Sequence, residues 1–149
     1  MAVFVDLDGL AEHDRTTTGA SGGGAGTRPA LAYGRLLATL TGRRHLIRAF
    51  AYGDGSVAAT LDGNGFEHRA VADRLARVVA LTVDAMQVAA RVDTMVFLGG
   101  DEALAPLYGV LAAQGIRIES AGFGADRVDV PSIPASHHHE LGEECTFSP

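Results

Sequence analysis

Five acids stand where chemistry is possible. Asp6 and Asp8 close an apolar run, Asp101 and Glu102 follow another, and Asp84 interrupts a third, Val79-Ala80-Leu81-Thr82-Val83-Asp84-Ala85-Met86. An unpaired carboxylate inside such a run costs several kcal/mol or shifts its pKa, so Asp84 needs a compensating charge. A hard divalent cation is one solution, since Mg²⁺ takes one or two carboxylates and keeps its waters. Such a site suits hydrolysis of a phosphodiester. Each acid also has a plainer reading. An Asp at the end of a strand caps the following helix or turn, and Asp84 has solvent, Arg48 or Arg77 as alternative partners.

Positioning these acids requires strands that end beneath them. Residues 2–7 are β-branched and aromatic-rich without strict alternation, the pattern of a strand covered on both faces. Residues 46–52, 94–98 and 116–121 read as three further strands, each apolar and the first two followed by Gly-rich turns. Pro29 and Leu31, Leu36, Leu37 and Leu40 mark a helix that stops at Gly42. Residues 70–90 read as helical with a break near Val78, and residues 103–114 as a helix capped by Gly115. The stretch between the second strand and residue 70 has no clear pattern. Strands alternating with helices imply an α/β fold, a central, mainly parallel sheet flanked by helices on both faces. In such sheets ligands bind beyond the strand carboxyl ends, where Asp6, Asp8, Asp101 and Glu102 would meet.

A length of 149 residues with 47% apolar content suits one domain spanning residues 1–149. The Thr, Gly, Ala and Ser stretch at about 16–28 is expected to be a flexible loop, and the chain from about 126 to 149 an irregular tail with a short helix near Glu140. The loop lacks the G-x-x-x-x-G-K-[ST] pattern of a nucleotide-binding P-loop. The charge of -6 arises from 18 acids and 12 basic residues, all arginine. That balance weighs against a protein that coats nucleic acid, though a local arginine cluster is compatible with it. One cysteine, Cys145, excludes an internal disulfide and fits a reducing cytosol. The apolar start reaches Asp6 with no basic leader or membrane-length run, so a cytoplasmic protein with no membrane contact is expected. His137-His138-His139 reads as a solvated turn, because adjacent imidazoles rarely point at one ion.

In order along the chain, Val3-Phe4-Val5-Asp6, Phe50-Ala51-Tyr52, Ala80-Leu81-Thr82-Val83-Asp84-Ala85-Met86 and Phe97-Leu98-Gly99-Gly100-Asp101 with Leu104-Ala105-Pro106-Leu107 resemble the NYN domain, a PIN-like family. Gln114-Gly115-Ile116-Arg117-Ile118-Glu119 and Ala121-Gly122-Phe123-Gly124 are similar to its next strand and Gly-Phe-Gly turn. This resemblance implies a three-layer PIN-like, Rossmann-like fold and a Mg²⁺- or Mn²⁺-dependent ribonuclease. It carries over Asp6, Asp84 and Asp101 as catalytic and metal-site acids, with Asp8 and Glu102 as local substitutes. RNA, a second copy of the chain or another protein are the partners it suggests. There are departures. The family's K-G-V-D aligns with Leu75-Ala76-Arg77-Val78, and the second Asp of S-G-D-S-D-F is Ala103. Those losses support an alternative, a catalytically inactive NYN-like binding or assembly module. A second alternative is a haloacid-dehalogenase-type phosphatase, which Asp6-Leu7-Asp8-Gly9-Leu10 resembles with Asp6 as nucleophile and Asp8 as general acid. Against it, Lys is absent and no apolar strand ends in a clear Ser or Thr.

Overall fold

The computed structural model describes residues 1–10, 31–55, 58–61, 63–123 and 135–146, and the Gly-rich stretch expected to be a loop lies outside them. The strands are β1 (Ala2–Asp6), β2 (Arg48–Gly53), β3 (Glu67–Ala70), β4 (Thr94–Leu98), β5 (Arg117–Phe123) and β6 (His137–Leu141). They form one sheet in the order β3-β2-β1-β4-β5-β6, and every neighbouring pair is parallel. The helices are α1 (Tyr33–Thr41), α2 (Ala58–Leu61), α3 (Arg74–Val88) and α4 (Ala105–Ala113). This is the α/β architecture expected, with a helical layer on each face.

The period of two in a strand divides the central residues between two cores. Val3 and Val5 of β1 face Leu36 and Leu40 of α1. Ala2 and Phe4 face Leu81, Ala85 and Val88 of α3 together with Leu107, Tyr108 and Leu111 of α4. On the second face Phe4 stacks on Phe50 at 5.4 Å and on Phe97 at 5.0 Å, each its in-register neighbour. Such cross-strand aromatic pairs hold register as well as burying area.

Three expectations need correction. First, α3 starts at Arg74 and runs unbroken through Val78. Asp73 caps it, its side chain accepting from Ala76 N at 2.8 Å. β-branched residues lower helix propensity by only a few tenths of a kcal/mol, and burial of Leu81, Ala85 and Val88 outweighs that. Second, residues 67–70 belong to an edge strand, β3. Its sequence Glu-His-Arg-Ala lacks apolar character, and its place beside β2 rests on backbone pairing and on Glu67 bridging Arg48. Third, the tail is not irregular throughout, and His137-His138-His139 is no turn. These residues open β6, where His138 meets Ser120 at 2.8 Å, His139 meets Glu119 at 2.7 Å and Leu141 enters the core. Polar cross-strand pairing replaced the hydrophobic pattern by which strands are recognised in sequence.

Candidate functional site

The chain leaves β1 outward through β2 and β3, then returns to place β4 on β1's other side. That reversal makes a topological switch point between β1 and β4, the crevice where open parallel sheets carry their sites. Asp6 ends β1 there, and Asp101 follows β4. Gly99 lets them meet. It has φ +76°, and a Cβ on it would lie 2.9 Å from the Asp6 carbonyl oxygen, so a side chain at 99 would push the two strand ends apart. Gly9 approaches from the other side, its N–H donating to Asp6 Oδ1 at 2.8 Å.

The charge at the centre of this crevice comes from α3. Arg77, two turns from the sequence's other acid, is 3% exposed, and each of its side-chain nitrogens faces a different carboxylate. Nε lies 3.1 Å from Asp6, Nη1 3.9 Å from Asp8 and Nη2 3.9 Å from Asp101. Arg74, one turn earlier, donates to both oxygens of Asp101 at 2.6 Å. The Arg74 bonds, aided by the Ala103 N–H and working against burial, hold the Asp101 carboxyl below its usual range. Tyr108 of α4 is fully buried beneath these acids, and its hydroxyl has no hydrogen-bond partner among the described residues. Burial, followed by the charges of Asp6 and Asp101, pushes that phenol upward.

Asp84 belongs to a different group. Seven residues beyond Arg77, it lies about 10 Å further along the helix axis at about 1.5 Å per residue. It accepts from Tyr52 Oη at 2.9 Å and from Arg69 Nε and Nη2 at 3.0 and 3.2 Å. Burial and then the Asp84 charge raise the Tyr52 phenol far above its ordinary value. Arg69, lying over the Phe50 ring at 5.1 Å, supplies the compensation the sequence demanded. It was not among the partners expected, because β3 went unrecognised. Glu102 is exposed on the turn before α4.

The structure thus brings Asp6, Asp8 and Asp101 together and leaves Asp84 and Glu102 apart from them. Among the described residues no three His, Cys, Asp or Glu side chains are arranged to hold one metal ion. The residues do not fit an ion bridging Asp6, Asp84 and Asp101. A guanidinium stands among the clustered acids, and Asp84 already has its counter-charge. The sequence reading offered Arg77 only as a partner of Asp84 and passed over Arg74, although two arginines three residues apart at a helix start lie on one face. It also missed a further buried carboxylate, Glu119, which is 1% exposed within β5. Arg44 donates to it at 2.8 and 2.9 Å, and Arg117 lies at 3.1 Å. Burial raises the Glu119 carboxyl, but the hydrogen bonds from His139 and Arg44 outweigh it and leave the group low.

A parallel three-layer sheet with acids at its switch point defines an α/β domain of the PIN-like class. Within that class the NYN domain family matches residues 1–140, and the chain belongs to it. The chain is also similar to the crystal structure of a Vibrio parahaemolyticus protein of unknown function. The two share 18% identity, the match covers 98% of this chain and 94% of that one, and the TM-score is 0.74. At that identity the likeness concerns the fold alone. No curated protein matches the sequence. Among the described residues no helix is long and apolar enough to cross a membrane.

Proposed function

We propose that this NYN domain works as a binding and assembly module and does not cleave RNA. The observation that carries this reading is Arg77, buried with one nitrogen toward each of Asp6, Asp8 and Asp101. A metal nuclease needs its ion where this guanidinium stands. Moving Arg77 aside would strand a buried charge, at a cost of about 3–5 kcal/mol. The charge of -6 favours a protein over RNA as the main partner. The phosphatase alternative fares no better, since Asp6, its nucleophile, is 2% exposed and engaged by Gly9 and Arg77.

Family membership favours a second reading, a Mg²⁺- or Mn²⁺-dependent ribonuclease using Asp6, Asp84 and Asp101. NYN and PIN-like nucleases are generally dependent on divalent metals. Calorimetric titration with Mn²⁺, beside incubation with labelled single-stranded RNA and Mn²⁺, separates the two. The module reading expects no heat of binding and intact RNA. Mn²⁺-dependent cleavage that Asp101→Asn abolishes would establish the ribonuclease instead.

A further inference from the structure

α3 is apolar on both sides. Its inner face buries Leu81, Ala85 and Val88, as a surface helix should. On its outer face Leu75 is 73% exposed, Val79 52%, Val83 48% and Met86 41%. Steps of four, four and three residues put these side chains in one row on the helix. The only charged residues between Leu75 and Ala90 are Arg77 and Asp84, and both are buried. Scattered exposed apolar residues are ordinary, but an unbroken row with no charge on that face marks an interaction surface.

We infer that a second copy of this chain covers the row, the two α3 helices packing antiparallel about a two-fold axis. The charges at the ends of the helix select this occupant. Asp73 stands immediately before α3, and Arg91 closes the turn after it. Both are exposed, one at each end of the row. In an antiparallel two-fold pair opposite ends meet. Asp73 of one copy then approaches Arg91 of the other, twice, while Val79 lies opposite Val83 near the axis. A parallel pair would set Asp73 against Asp73 and Arg91 against Arg91. Each chain carries -6, and the row itself brings no charge into the contact. This pairing is independent of whether the acidic crevice cleaves RNA.

Sedimentation equilibrium of the full chain tests it. A species of twice 15.4 kDa is expected at micromolar concentrations. Val79→Glu, a change at an exposed position that leaves the monomer folded by circular dichroism, weakens association roughly a hundredfold or more by placing charge at the centre of the interface. Arg91→Glu weakens it roughly three- to tenfold, and the difference fades in high salt. Mixing Val79→Cys with Val83→Cys protein under oxidation gives a cross-link that neither gives alone. A chain that stays monomeric, a dimer indifferent to Val79→Glu, or self-linking of Val79→Cys as strong as the mixed link overturns the pairing.

Discussion

Two charge clusters of opposite balance sit on one sheet, one at its central strands and one toward its β6 edge. At the crevice above β1 and β4, Asp6, Asp8 and Asp101 meet Arg74 and Arg77, an excess of acid among the groups named. At β5 and β6 a single carboxylate, Glu119, meets Arg44, Arg117 and His139, an excess of base. Both satisfy buried charge, but they differ in what removal of one member leaves. Without Glu119, arginines that are already 37% and 56% exposed can turn to water. Without Arg77, Asp6, which is 2% exposed, loses the guanidinium beside it, while Arg74 still holds Asp101. The Glu119 cluster is therefore a clasp, and the crevice an acidic cluster whose charge balance rests on a buried arginine.

The largest effect that sharpens this contrast belongs to Arg77→Ala. Urea unfolding near neutral pH should show a loss of about 3–5 kcal/mol, the usual cost of breaking a buried pair. Added Mn²⁺ should restore part of that loss by binding the freed carboxylates, whereas the parent should gain nothing. A variant as stable as the parent, or indifferent to Mn²⁺, would remove the distinction between the clusters.

Glu119→Gln should cost less, about 1–3 kcal/mol, because only charge-assisted hydrogen bonds are lost and the arginines can be solvated. The same unfolding experiment measures it, and a loss equal to that of Arg77→Ala would contradict the contrast. Acid should erode both clusters together. Asp101 and Glu119 have carboxyls held low in the folded state, so the native protein binds fewer protons than the unfolded chain near their ordinary range. Their stabilisation is full above about pH 5 and is lost as the pH falls through about 4 and below. Asp101→Asn should flatten that part of the pH–stability curve, while a variant curve parallel to the parent's would show that Asp101 contributes nothing to it. The smallest effect is expected for Arg69→Ala, about 1 kcal/mol, since Arg69 is 36% exposed and Tyr52 still donates to Asp84. Thermal unfolding would detect a larger loss, which would place Asp84 with the crevice acids in energetic weight.

The sequence by itself determined the layer order and the meeting of the strand ends. Continuous apolar runs such as 2–6 and 94–98 can only be buried on both faces, and parallel strands so buried carry Asp6 and Asp101 to one edge. Asp84 likewise announced a need for compensation, because its neighbours are apolar whatever the fold. The tertiary structure decided which cation answers each acid. Arg69 reaches Asp84 from β3, and His139 reaches Glu119 from β6; both are polar edge strands whose order rests on pairing with a neighbour. Arg77 becomes the partner of Asp6, Asp8 and Asp101 because α3 starts beside the switch point. Hydrophobic burial is written in local pattern, but the choice among twelve identical guanidinium groups depends on distance across the fold, and that exists only once the sheet has formed.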